Sequence, residues 1–210
     1  MKDLQKGLYL FVRDKRRKLI FLHTKYFYDF SFIHINKTGG SSIEKALHVP
    51  LIHETALTFC ERIGKQRWDQ RFSFAIIRNP WDRAVSQFHY RQMTGQTGLG
   101  NNPLGFKEWL KQVYIQRSPD YMDDKKMFLT QAEWVCDEEG RIMVDYIGRF
   151  ENLQESWDYI CVQLQQTRTL LPHVKKSTRG NYRDYYDDES REIIEDYFRQ
   201  DLKLFGYTFE

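Results

Sequence analysis

Seventeen residues, Ser31 to Leu47 (SFIHINKTGGSSIEKAL), constrain this chain more than any other stretch. A short apolar run ends in a lysine, a Gly-Gly pair and two serines. Ile43, Ala46 and Leu47 then recur at helical spacing. The pattern reads as strand, turn, helix. Paired glycines let backbone N–H groups close around an oxyanion, and the start of the helix adds the positive end of its dipole. A phosphate-bearing ligand is therefore expected. The loop is not the common nucleoside-triphosphate loop, in which the lysine follows the second glycine of G-x-x-x-x-G-K-[ST]. Here Lys37 precedes Gly39 and Gly40. Taken alone, KTGGSS also fits an ordinary glycine-serine turn.

A second stretch weighs against that plain turn. FSFAIIRNPWDRAVSQFHY, Phe72 to Tyr90, starts as a buried strand (FAII). Asn79 then suits an N-cap, Pro80 the first helical position and Asp82 the helix dipole. Arg78 should stand at the carboxyl end of the strand, with Ser86 about two turns into the helix, roughly 9 Å along its axis. Arg83, Ser86 and Tyr90 share a face by their spacing. An arginine fork and a serine hydroxyl make a second phosphate grip. The competing reading is a capped helix with a surface arginine.

The two motifs together resemble the sulfotransferases that use 3′-phosphoadenosine 5′-phosphosulfate. HINKTGGSS resembles their 5′-phosphosulfate loop and RNPWDRAVS their 3′-phosphate motif. DYIGRFENL, LPHVKKSTRGNYRDYY and LKLFGY resemble the carbohydrate-directed branch, so the likeness runs from about Phe32 to Tyr207. It implies that Lys37 contacts the sulfate-bearing side of the 5′-phosphate, and that Thr38, Gly39, Gly40, Ser41 and Ser42 line that phosphate. It implies that Arg78 and Ser86 hold the 3′-phosphate, and that the co-substrate leaves as 3′-phosphoadenosine 5′-phosphate. Two features depart from the pattern. Asn36 stands where proline often precedes the lysine, which removes a fixed φ. The RKGxxG loop of the small-molecule branch is absent, and KKSTRG, with Ser177 and Arg179, is the candidate replacement.

Sulfuryl transfer needs in-line attack, donors for the leaving oxygen and a base for the hydroxyl proton. Lys37 suits the leaving group, and no metal is expected. His53, in the segment returning from the loop helix, is the candidate base. Glu54 is its substitute, His34 reads as a core residue, and His89 and His173 follow. A structural His53 is equally open. Arg83 reads either as a nucleotide contact or as an ion pair fixing its helix. Gln131 and Trp134 are candidates to meet a glycan, with core packing favoured for Trp134. Glu151 reads as a helix cap.

The 210 residues suffice for one α/β domain: a single P-loop-like unit spanning 1–210, with a mainly parallel sheet flanked by helices. Residues 1–30 read as a peripheral helical segment. Strands are expected at 32–35 and 74–77 and through RIMVDYIGRF. Helices are expected to about Leu47, from about Thr55, from Pro80, around Phe106–Tyr114, from near Glu151, and at the C-terminus with Ile194, Tyr197, Phe198, Leu202 and Phe205 inward. CDEEG reads as a hairpin turn, and Met93–Gly105 as a loop, either at a site rim or a plain connection.

Net charge of +3, from 32 basic and 29 acidic residues, lacks the basic excess of a nucleic-acid binder. Three scattered cysteines without a C-x-x-C pair suit a reducing compartment rather than a zinc site. No signal peptide or membrane span is read, so a cytoplasmic enzyme or a piece of a longer chain is expected. The cluster RDKRRK, Arg13 to Lys18, reads as a solvated helix face in preference to a membrane contact. The leading function is a sulfotransferase that moves the sulfuryl group to a hydroxyl, chiefly of a saccharide. A non-catalytic nucleotide-binding module and a small-molecule kinase are the alternatives.

Overall fold

The computed structural model describes residue 15 and residues 19–172 and 180–210. Three parallel strands form its sheet in the order β1 (Phe30–Ile33), β2 (Phe72–Ile77), β3 (Tyr146–Arg149). Period-two alternation sorts their side chains. Phe30 and Phe32 of β1, with Phe74 and Ile76 of β2, pack on one face against Ile43 and Leu47 of α1 (Gly40–Leu47). Trp157, Ile160 and Cys161 of a later helix, Leu153–Gln163, join that layer. On the other face Ile33, Ala75 and Ile77 meet Phe59, Cys60 and Ile63 of α2 (Ala56–Ile63). Both strand faces are covered, as parallel sheets require.

After α2, the short α3 (Lys65–Asp69) leads into β2, and α4 (Pro80–Thr94) follows it. Asn79 caps α4 by accepting from the Trp81 and Asp82 N–H groups, with Pro80 at its first position. Trp81, Val85 and Phe88 of α4 build a second core with Phe106 and Trp109 of α5 (Phe106–Leu110), which runs on into a wider turn at Lys111–Ile115. Then come α6 (Gln131–Val135), α7 (Leu153–Gln163), α8 (Asp188–Tyr197) and α9 (Arg199–Phe205). Met93–Gly105 holds the end of α4 and a one-turn helix, Gly98–Asn101, that buries Leu99.

Several expected boundaries shift. The first strand is Phe30–Ile33 rather than 32–35, because the chain turns at once, with the Ile35 N–H bonding to the Ile33 carbonyl at 3.1 Å. RIMVDYIGRF is not one strand. Ile142 bridges antiparallel to Cys136 across the CDEEG turn, Asp145 accepts from the Ser73 N–H and hydroxyl, and only Tyr146–Arg149 extends the sheet. The C-terminal helix is two, α8 and α9, joined at Phe198, which stays buried along with Ile194 and Phe205. The KKSTRG proposal, with Ser177 and Arg179, falls outside the described residues, as does His173.

Candidate functional site

β1 and β2 are parallel neighbours, so the segments leaving their carboxyl ends lie side by side, where open α/β sheets place their ligands. The first segment is the loop Asn36–Gly39. Lys37 has a φ of 67° and Gly39 a φ of 83°, and Thr38 between them bonds its hydroxyl to the Ile35 carbonyl at 2.8 Å. A lysine in the left-handed region is strained and persists where its surroundings hold it. Gly39 is the N-cap of α1 and gives it no side-chain acceptor. The Ser42 N–H turns back to the Gly39 carbonyl at 3.0 Å. An uncapped helix start behind left-handed turns is the backbone form of an anion cradle.

Gly40 is fixed by packing. A Cβ there would stand 2.2 Å from a carbon of the His34 ring. His34 is buried and its Nδ1 bonds to the Glu44 carboxylate at 2.6 Å, so the ring is clamped between α1 and β1. The expectation of a core histidine holds, and Glu44 is a partner that spacing did not reveal.

The second segment, Arg78–Asn79, is bound to the first. Arg78 donates from Nη1 to the Lys37 carbonyl at 3.0 Å. Its Nε and Nη2 both lie 2.7 Å from Asp82, and its guanidinium stacks on Phe150 at 3.9 Å. Its backbone is held as well, for Gln131 accepts from the Arg78 N–H and donates to the Arg78 carbonyl, each at 2.8 Å. Gln131 and Trp134 are fully buried, so neither meets a glycan. Glu151 does not cap the helix that follows it, α7. It accepts from the Asn79 N–H at 2.7 Å and from the Tyr207 hydroxyl at 3.0 Å.

The α4 face read from spacing meets the loop at both ends. Arg83 reaches the Asn36 carbonyl at 3.1 Å, the Asn36 Oδ1 at 2.7 Å and the Leu129 carbonyl at 3.0 Å. Two turns on, Tyr90 lies under the Lys37 ammonium, 4.1 Å from its ring centre. Ser86 sits between them, half-buried. Arg83 is itself buried, and these hydrogen bonds make it a clasp on the loop's base. Asn36 also donates to Gln87 and to the Met127 carbonyl, at 3.2 and 2.9 Å. Buried hydrogen bonds thus fix the position at which proline would restrict φ.

His53 comes to the same end of β1. Its Nδ1 lies 2.8 Å from the His34 carbonyl, and the two imidazoles are 4.4 Å apart. A carbonyl only accepts, so Nδ1 carries the hydrogen and Nε2 the lone pair. Burial, then the neighbouring His34, lowers its pKa from 6.5 to about 4. The ring is neutral at pH 7, the form a proton acceptor requires. Glu54 is buried in an ion pair with Lys126 at 2.7 Å, with Arg62 at 3.6 Å. His89 packs against Phe88 and Tyr185, with ring centres 5.5 and 5.1 Å away.

Comparison with known proteins adds three findings. An uncharacterised protein of Archaeoglobus fulgidus is 26% identical over 125 residues, covering 58% of this chain and 91% of that protein. A sulfotransferase crystal structure from Alicyclobacillus acidocaldarius aligns over 89% of this chain and 83% of its own, at 15% identity and a TM-score of 0.38. The profile of the Sulfotransferase family matches residues 20–208, a span that contains Lys37, His53 and Arg78, and the chain belongs to that family.

Proposed function

We propose that the chain moves the sulfuryl group of 3′-phosphoadenosine 5′-phosphosulfate to a hydroxyl group, with a saccharide as the preferred acceptor class. The observation that carries this is the Arg78–Lys37 contact, which joins two separate phosphate motifs at adjacent strand ends, beside an uncapped helix start. The residues present suit the donor. Lys37 and the Thr38–Ser42 backbone and hydroxyls would take the 5′ end. Arg78 and Ser86 would take the 3′-phosphate, with Arg78 exchanging its Asp82 contacts for phosphate oxygens. When bound, the donor supplies a sulfuryl group on a good leaving group.

The chain's own residues then have separate tasks. Lys37, held over Tyr90, meets charge developing on the phosphate oxygen as its bond to sulfur breaks. The N–H groups at the start of α1 assist. His53 takes the hydroxyl proton at Nε2 as the acceptor oxygen bonds to sulfur. Its Nδ1–H bond to the His34 carbonyl keeps the ring in the required tautomer. The saccharide preference rests on the likeness of the C-terminal third to the carbohydrate-directed branch.

The deciding experiment is transfer of labelled sulfate from the donor across a panel of glycans and phenols. Transfer to saccharide hydroxyls is expected. Transfer to phenols alone would overturn the acceptor class. Binding of the nucleotide without transfer to any acceptor would favour a non-catalytic module.

A further inference from the structure

The side chain of His34 has no task in sulfuryl transfer, yet it touches both halves of the site. The residue leaves β1 directly ahead of the loop, and its ring lies flat on Phe32, with centres 5.4 Å and planes 12° apart. On one side it meets α1 twice. A Cβ on Gly40 would stand 2.3 Å from Nε2, and one turn later the Glu44 carboxylate lies 2.6 Å from Nδ1. Gly40 and Glu44 share a helix face because four residues separate them. On the other side His34 meets His53 twice. Its carbonyl accepts from the His53 Nδ1–H at 2.8 Å, and the two rings are 4.4 Å apart.

These contacts leave His34 no direct part in the chemistry. The His34 and Glu44 side chains are only 5 and 12% exposed. A carboxylate accepts, so the His34 Nδ1–H is committed to Glu44, while Nε2 faces the Gly40 backbone. Neither nitrogen is open to an acceptor hydroxyl. Stability alone does not account for the pair either, since well-packed apolar groups in place of a buried ion pair are often neutral or better. What the pair does is geometric. Glu44 holds the His34 ring, and His34 holds His53. Because α1 begins at the uncapped turn that suits the donor's 5′ end, one side chain joins the donor's helix to the base.

We propose that Glu44 and His34 are positioning residues, which set His53 at a fixed distance from the start of α1. The inference rests on sulfuryl transfer being the reaction at this site. In-line transfer makes the placement matter, for a shift of about 1 Å between reacting groups can cost about 10²-fold in rate.

The test reads His53 by NMR and the reaction by kinetics, in variants of the full chain at residue 44. Imidazole nitrogen shifts report the His53 tautomer, and its C–H shifts report its pKa. Charge and geometry predict opposite signs. His53 is faced by His34, by Glu44 behind it and by Lys126, which donates to the His53 carbonyl at 3.2 Å and pairs with Glu54. Loss of the Glu44 charge alone would lower the His53 pKa further below about 4. Release of the ring toward water would raise it toward 6.5, because burial is the largest cause of the depression. Glu44→Ala should therefore raise the pKa and mix in the Nε2–H tautomer. Turnover should fall about 10–100-fold, with acceptor KM and nucleotide affinity within about threefold of wild type. Glu44→Gln keeps an oxygen acceptor for the His34 Nδ1–H, and should restore the His53 tautomer and most of the turnover. If Glu44→Ala does not fold, Glu44→Asp, which withdraws the carboxylate by one methylene group, should give the same changes in smaller measure. Three results would overturn the proposal. These are an unchanged His53 tautomer and pKa in the folded Ala or Asp variant, a Gln variant as impaired as Ala, or equal losses of nucleotide affinity and turnover. If the wild-type chain transfers no sulfuryl group, the reaction assigned to the site falls, and the NMR measurement still decides whether Glu44 places His53.

Discussion

Lys37 combines two costs: a left-handed backbone and a charge held against Tyr90 rather than in open solvent. Replacing it with alanine should lower turnover by about 10²–10³, as for loss of an oxyanion donor. Nucleotide affinity should change less, because Arg78 and Ser86 remain. Near-normal turnover in Lys37→Ala would remove the lysine from the chemistry. His53 makes a different statement, through pH. Its pKa stands at about 4 in the folded protein against 6.5 in the free side chain. Between those values the unfolded chain binds a proton that the folded chain refuses, so stability must fall as pH drops through that window. His53→Gln should flatten this part of the melting-temperature profile. If the neutral ring is the base, the acid limb of turnover should fall near pH 4 rather than 6.5, and His53→Gln should cost roughly 10²–10⁴ at neutral pH. An unchanged rate in that variant, with Glu54→Gln inactive, would move the role to Glu54.

At the level of elements, α1 shows how a sequence motif becomes a rigid feature. Gly40 cannot carry a Cβ without displacing His34, which Glu44 holds from the next turn of α1. Gly40→Ala should cost about 1–3 kcal/mol in urea unfolding, the usual penalty for an overfilled core. In a His34→Ala background the same change should cost clearly less. Equal costs in both backgrounds would show that something else excludes the methyl group. This element also marks what a sequence discloses. The loop, the uncapped α1 and the Asn79–Pro80 start of α4 were legible because each is written in a few consecutive residues. The α4 face of Arg83, Ser86 and Tyr90 was legible because helical spacing is fixed. The tasks of Asn36, Gln131 and Glu151 were not. Arg83 meets Asn36 across 47 positions, Gln131 meets Arg78 across 53 and Glu151 meets Asn79 across 72. No local rule couples residues so far apart. Asn36 gave the one hint, a polar residue where proline is usual. The break of the last helix at Phe198 was hidden for the opposite reason, since the apolar spacing of Ile194, Phe198, Leu202 and Phe205 runs on through the joint.

For the molecule as a whole, the parallel sheet brings residues from distant parts of the chain to one edge, and the edge is held by contacts that a ligand would have to re-use. Arg78 is committed to Asp82, Lys37 and Phe150. A ligand that draws this arginine onto a 3′-phosphate must supply an anion at least as good as the Asp82 carboxylate, and a nucleotide without that phosphate cannot. Arg78 also bonds to Gln131, and its neighbour Asn79 bonds to Glu151, so tightening this edge should stabilise the fold globally rather than locally. At about 100 times its dissociation constant, 3′-phosphoadenosine 5′-phosphate should add roughly 2.7 kcal/mol to folding. For a chain of this size that is a rise of about 5–10 °C in melting temperature. ADP and ATP at the same concentrations should give much smaller rises, with no gain from Mg²⁺. Arg78→Ala should cost about 1.5–3 kcal/mol of nucleotide binding, the value of a lost charged hydrogen bond, and shrink the rise accordingly. Equal stabilisation by ATP, or a shift that requires Mg²⁺, would mean that the second motif does not read a 3′-phosphate. A kinase-like donor site would then become the better account of this edge of the sheet.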